Sequence, residues 1–347
     1  MKAMETSSKS RFSQWVGNRR SVDSNFGTVL VLLVLIVLQT VVLGFDYDSV
    51  GHWFSAWSRN WINILRNNAA VGIIALGMTF VILTGGIDLG VGSTLVAIGA
   101  VIMMMLDTGP KGFLGNLGIT GVPAYALAII AAIVMGCLIG AIVGLLITKG
   151  RIAPFVATLG SMKILRSVTQ HFMQGYNPRV PRGFLQISNL QVNRLMFMPI
   201  VYWAIIAAIL IYVSKRTVFG RQVIAVGSNE RAAQLSGVNV DRVKIGAYAL
   251  MGVLVGIASV IQVSRIGSMD FANAGSGYEM DAIAAAVVGG TTMRGGRGTI
   301  LGTVLGMLII AVMNNLLNLF GVPPFLREAF KGLIVVLAVL FQRKESA

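Results

Sequence analysis

Few side chains in this chain can do chemistry, and those that can stand in apolar company. Asp88 lies in TGGIDLGVGST, residues 84–94, between Gly85 and Gly86 on one side and Gly90 and Gly92 on the other. A carboxylate at helix-centre depth in lipid costs about 2.5–3.5 kcal/mol, so such a group faces a cavity or a partner. The glycines let the backbone unwind where it lines water or protein. Two readings are open: a pathway or gating residue at depth, or a cap on the next helix at the membrane boundary. Asparagines form a second group. Asn314, Asn315 and Asn318 fall in MNNLLNLFG, where Asn314 and Asn318 share a helix face, and Asn67 and Asn68 stand near the outer end of another apolar run. Their amides can bond a hydroxyl-rich ligand or hold neighbouring helices together.

The third group is the polar stretch VFGRQVIAVGSNERAAQLSGVNV, residues 218–240, set between two long apolar runs. Its residues predict one helix of about nine residues, with Ser228 as N-cap and Glu230 in the first turn. Gly237 is expected in the left-handed C-terminal position. Asn229 and Arg231 add polar surface, while Ala232, Ala233 and Leu235 give a small apolar one. A helix this short is marginal alone, so the expectation is that it docks on a partner.

Other chemistry is missing. GGTTMRGGR at 289–297 resembles a phosphate loop only in its glycines, lacking the Lys and Ser/Thr that follow the second glycine. The chain is therefore not expected to bind ATP. His52 and His171 are far apart and Cys137 is the only cysteine, so neither a metal centre nor a disulfide is expected. No acid, base and nucleophile stand together, and the chain does not read as an enzyme.

The elements that must position these residues follow from composition. With 55% hydrophobic and 12% charged residues and a mean hydropathy of +0.78, the chain has more apolar surface than one soluble core can hide. The expected fold is an all-α, polytopic membrane bundle. Apolar runs place spans at 26–45, 60–84, 91–107, 121–147, 198–214, 244–264, 298–320 and 325–341. Two weaker ones fall at 152–174, which contains Lys163 and Arg166, and 278–293, which begins with Glu279 and Asp281. The total is about ten helices.

Basic residues orient the bundle. Lys149, Arg151, Lys215, Arg216, Arg221, Arg231, Arg242, Lys244, Arg294 and Arg297 fall on one side with both termini. A smaller set, including Arg59, Arg66, Lys111, Arg179, Arg182, Arg265, Arg327 and Lys331, falls on the other. The positive-inside bias then puts both termini in the cytoplasm, with tails at 1–25 and 342–347, a transmembrane unit at 26–341 and a cytoplasmic loop at 215–243. The net charge of +15 is met by this bias and by anionic lipid headgroups, with no nucleic acid required. Arg19 and Arg20 precede an apolar run without a small-residue cleavage site, so the first helix reads as retained. Gly136, Gly140 and Gly144 repeat every four residues, a stripe along which another helix can approach closely.

Several motifs, in order, resemble the ribose/galactose-type sugar ABC importer permeases. GRQVIAVGSNERAAQLSGVNV is similar to that family's cytoplasmic loop, LTGGIDLGVGS at 83–93 to its GIDLSVGS motif, and GYEMDAIAAAVVGGTTMRGGRGT at 277–299 to its GYELDAIAAVVxGGTSxxGGxGT motif. ATLGSMKILR at 157–166 and NNLLNLFGV at 314–322 agree as well. Gly90 departs from the serine usual after IDL. The resemblance implies a bacterial inner-membrane, multi-pass permease that pairs with a second permease subunit. Two ATP-binding subunits, or one fused ATPase, would carry ATP and Mg, and a periplasmic or extracellular sugar-binding protein would deliver the solute. Residues 228–237 would be the ATPase-coupling helix, and the cargo a monosaccharide moved by alternating access. Another small solute (a nucleoside, a polyol or a furanose signal) and an ion-coupled secondary transporter are the alternatives.

Overall fold

The computed structural model describes residues 26–44, 48–191, 195–323, 326–333 and 336. The expected tails at 1–25 and 342–347, and residues 325, 334–335 and 337–341 of the expected span 325–341, lie outside them. Among the described residues, helices α1 Phe26–Leu43, α2 Val50–Leu83, α3 Val91–Leu106, α4 Phe113–Asn116, α5 Val122–Thr148, α6 Pro154–Met173 and α7 Arg182–Asn189 are followed by α8 Met198–Arg216, α9 Val218–Ser228, α10 Glu230–Leu235, α11 Val240–Ile266, α12 Tyr278–Val288 and α13 Ile300–Leu319.

Local chemistry sets their ends. Prolines open α5, α6 and α8, where the missing N–H costs nothing. Thr217, Asn229, Asn239 and Thr299 accept backbone N–H groups at the starts of α9, α10, α11 and α13. Gly267, left-handed at φ +75°, stops α11.

Among the described residues, five helices are long and apolar enough to cross a membrane: α2, α5, α8, α11 and α13; α1 and α3 are apolar but shorter. The chain is a polytopic helical membrane protein. The structure does not bear out a tenfold count. Residues 278–293 give only the 11-residue α12, which rises about 16 Å and cannot span a bilayer. Residues 152–174 form α6, with Lys163 exposed.

Burial separates core from lipid-facing surface. From Ala69 to Leu83 every residue of α2 is buried. Helix α5 is sided: Ala124, Ala128, Ala132, Gly136, Gly140 and Gly144 point inward, whereas Ile130, Val134, Leu138 and Ile142 point out. Small residues inside and large aliphatic ones outside suit lipid, where close backbone approach replaces the hydrophobic drive. The inner stripe meets α11 directly. A Cβ on Gly136 would collide with the Gly252 carbonyl, one on Gly140 with the Tyr248 carbonyl, and one on Gly252 with the Gly136 carbonyl.

Hydroxyls tie other helices. Thr79 and Thr303 pair at 2.6 Å between α2 and α13, and Ser259 donates to the Leu95 carbonyl at 2.8 Å between α11 and α3. Charged side chains make contacts at both ends of the bundle. Lys149 pairs with Asp241 at 2.7 Å and Lys244 with Glu230 at 2.8 Å at the end carrying α9 and α10, here the loop end. Arg66 donates to Asn189 and Arg265 to Asn67 at the far end. Lys331, grouped with the far-end set by sequence, is buried: its side chain is 13% exposed and its ammonium lies 3.0 Å from an oxygen of Asp281.

Candidate functional site

Three regions carry the residues singled out by sequence. The loop-end segment is two helices rather than one. Helix α9 packs on the bundle through buried Gly220, Val223 and Val226, with Phe219 stacked on Phe80 at 6.0 Å. Helix α10 is presented outward. Ser228 is not its cap: it ends α9, its hydroxyl donating to the Ile224 carbonyl at 2.8 Å. Asn229, extended at φ −160°, is the N-cap, and its side-chain oxygen accepts Ala232 N–H at 2.9 Å. A serine near a helix start suggests the same chemistry, so only backbone conformation separates the two. Gly237 takes φ +83° beyond the C-terminus, as expected. Ala233 is buried, while Arg231, Ala232 and Leu235 face out, Leu235 being 82% exposed. The expected apolar surface is thus split between an anchor and an outward tip. Glu230 pairs with Lys244 at the start of α11.

The second region joins two breaks in the helices. Residues 84–90 interrupt the run from α2 to α3, and an irregular segment, 267–277, separates α11 from α12. The starts of α3 and α12 meet there: a Cβ on Gly92 would collide with the Gly275 carbonyl and stand 2.9 Å from the Glu279 carboxylate. Since α3 rises about 24 Å from this point to the far end, the meeting point lies inside the bundle on the loop-end side. Irregular backbone there is tolerated where protein buries it or a cavity satisfies it. Asp88 is 8% exposed. Its Oδ1 accepts the Gly90 N–H at 2.8 Å, so it shapes the turn into α3 from two residues ahead, while Gly90 takes the N-cap position without a side-chain bond. Tyr248 of α11 donates its hydroxyl to the Ile87 carbonyl at 3.2 Å.

Arg166 and Glu279 belong to this region too, and sequence reading gave neither a place in it. Arg166 on α6 donates to the Ala274 carbonyl at 2.7 Å and the Ala272 carbonyl at 3.3 Å, stapling the irregular segment to α6. The glycine at 90 also finds its reason: a Cβ there would lie 2.8 Å from the Ser161 hydroxyl, so a serine at 90 would displace that side chain.

The third region is a cavity of about 210 Å³ at the far end between α2 and α13. Asn67, Asn68, Asn314, Asn315 and Asn318 all line it, with Asn63 and Arg327. Tertiary structure thus gathers both asparagine groups in one place, well apart from Asp88. Part of their bonding is structural. Asn315 donates to Asn60 at 3.2 Å across the two helices, Asn68 to the Ile64 carbonyl in its own helix, and Asn67 accepts from Arg265. The side-chain oxygens of Asn314 and Asn315 are buried without a hydrogen-bond partner, each at a cost of about 1–3 kcal/mol that a hydroxyl donor would relieve.

Elsewhere at the far end, Asp107 closes α3 by accepting the Tyr176 hydroxyl at 2.6 Å and the Arg179 and Gly109 N–H groups. Burial, then the Asp107 carboxylate, pushes the Tyr176 hydroxyl up to about 12. Burial alone would raise Asp107, but its hydrogen bonds from Tyr176, Arg179 and Gly109 outweigh that and hold it below the usual carboxylate range.

Residues 60–339 match the family described as branched-chain amino acid transport system / permease component. The ribose import permease protein RbsC of Bacillus subtilis (strain 168) is 43% identical over 330 residues, 94% of this chain and 95% of that one. RbsC of Escherichia coli (strain K12) is 38% identical over 325 residues, 92% and 93% of the two chains. The galactose/methyl galactoside import permease protein MglC of Haemophilus influenzae is 34% identical over 324 residues, 89% and 92%. No solved structure matches. With residues 60–339 matched by the family and relatives 34–43% identical along nearly the whole chain, this protein belongs to the branched-chain amino acid transport system / permease component family.

Proposed function

We propose that the chain is the transmembrane subunit of an ATP-binding-cassette importer that moves a monosaccharide across the bacterial cytoplasmic membrane. The observation that carries the reading is the similarity, over nearly the whole chain, to permeases named for ribose and galactose import. The capped helix α10, held out from the loop end, supports it by offering an ATPase a contact. In this reading the chain works with a second permease subunit, with two ATP-binding subunits or one fused ATPase that hold ATP and Mg, and with an extracytoplasmic sugar-binding protein. The loop end faces the cytoplasm and the far end receives the sugar. The asparagine cavity offers amide donors and acceptors to sugar hydroxyls, and the break around Asp88, being non-helical and buried, is the element that rearranges between outward- and inward-facing states.

Uptake in vesicles holding the assembled importer tests this. Uptake of a monosaccharide is expected to need ATP and the ATPase subunits and to survive an uncoupler; uptake without the ATPase that collapses with an uncoupler would replace this reading with a secondary transporter. Two variants sharpen it. Glu230→Gln removes one exposed ion pair, worth under about 1 kcal/mol, and Gly237→Val strains one left-handed position by about 1–2 kcal/mol. Both are expected to leave the bundle folded while hydrolysis stimulated by loaded binding protein drops; unchanged stimulation would remove α10 from the coupling path. Asp88→Asn keeps an acceptor for the Gly90 N–H but loses the charge. Transport should fall severalfold more than complex yield does, whereas equal losses would make Asp88 structural.

A further inference from the structure

The GGTTMRGGR stretch, a failed phosphate loop by sequence, forms a tight turn between α12 and α13. Thr292 donates its hydroxyl to the Gly295 carbonyl at 3.0 Å, and Gly290, Gly295 and Gly296 hold φ of +88°, +85° and +72°. These left-handed values favour glycine strongly. The turn touches two other segments through backbone. Gly296 donates its N–H to the carbonyl of Leu83, the last residue of α2, at 3.0 Å. Gly227, in the last turn of α9, has no room for a side chain: a Cβ there would collide with the Leu83 carbonyl and stand 2.6 Å from the Gly296 nitrogen. A Cβ on Gly295 would lie 3.0 Å from both the Gly85 nitrogen and the Leu83 oxygen. On the same side, Ser228 reaches the Gly296 carbonyl at 3.5 Å.

Three stretches far apart in sequence therefore meet backbone to backbone, two residues before the Asn229 cap of α10. Contacts made through long side chains absorb a displacement by changing rotamer; backbone contacts have no such slack, and packed interfaces pass a shift onward. The junction also leads to the right places. Gly85 opens the break that carries Asp88, and the turn runs back into α12 and forward to Thr299, the cap of α13.

We propose that the Gly227–Leu83–Gly296 junction carries motion of α10 to the break at 84–90 and to α12, which makes the GGTTMRGGR turn part of the coupling machinery. This rests on α10 being the ATPase contact. Gly227, Gly295 and Gly296 are positioning residues and touch no substrate.

Hydrogen exchange in the assembled importer, compared without nucleotide and with ATP plus vanadate, tests the proposal. In the unmodified complex, exchange is expected to change at 230–235, 84–90 and 291–298. In Gly227→Ala, the response at 230–235 should persist while that at 84–90 falls roughly threefold or more, and sugar moved per ATP hydrolysed falls with it. Gly160→Ala, where an added Cβ meets nothing within 4 Å, should behave as the unmodified chain. If Gly227→Ala does not assemble, Thr292→Val, which loosens the turn without crowding the junction, decides by the same readout. A full response at 84–90 in the deciding variant overturns the junction. A response at 230–235 with none at 84–90 in the unmodified complex overturns it alone, and no response at 230–235 overturns the α10 reading with it.

Discussion

Gly140→Val is expected to abolish recovery of folded protein from membranes. A Cβ at this position already collides with the Tyr248 carbonyl and lies 3.1 Å from the Ala249 Cα. Both are backbone atoms of α11, so relief requires the helices to separate rather than a side chain to turn. Separation would also break the neighbouring contacts of Gly136 with Gly252 and of Gly256 with the Ala132 carbonyl. Overpacking costs about 1–3 kcal/mol where side chains can give; against rigid backbone along a stripe, about 4 kcal/mol or more is expected, the range in which single substitutions become exceptional. Ile142→Ala, on the outward face at 56% exposure, is the matched control. Detergent-extracted protein followed by size exclusion and thermal unfolding reads the difference. Equal melting of Gly140→Val and the unmodified chain would mean that α5 and α11 do not touch in this way.

Lys331→Met is expected to cost about 3–5 kcal/mol, because it leaves the Asp281 carboxylate buried without its cation. The two side chains are 13% and 10% exposed. The ammonium donates to Asp281 Oδ2 at 3.1 Å and stands 3.0 Å from Oδ1, where its approach serves as charge alone, and it also reaches Glu328 at 2.9 Å. The pair pins the helical stretch 326–333 to the first turn of α12, beside the break. Removing both charges, as in Asp281→Leu with Lys331→Met, should recover at least half of the loss, since a buried pair replaced by apolar groups is often neutral. Thermal unfolding of the two singles and the double settles this; a double variant as unstable as the sum of the singles would show that the charges do not act as a pair.

How far sequence reaches is clearest at particular residues. The α5 stripe was legible because a four-residue repeat of glycines is local and periodic, and its burial against α11 is what that repeat expresses. Gly237 was legible for a similar reason: a glycine after a short polar helix signals a left-handed turn. Ser228 was misplaced by one residue because serine and asparagine cap equally well and only φ distinguishes them. The span at 278–293 was overcounted because an apolar run bounded by acidic residues reads alike whether it crosses the membrane or starts halfway. Lys331 reads as a far-end cation from its position along the chain, but its burial against Asp281 is not legible there, because its partner lies 50 residues away.

Taken alone, the sequence determined the class and the family-like motifs: an apolar chain that spans a membrane, with a polar segment set between two long apolar runs. These are properties of composition and short period, which lipid reads locally. Only the tertiary structure decided that the two asparagine groups share one cavity, that Asp88 stands apart from them in a buried break, and that Gly227, Leu83 and Gly296 touch. The reason is physical: close packing of small residues makes contacts between segments far apart in the chain, and no local pattern states which glycine leaves room for which carbonyl.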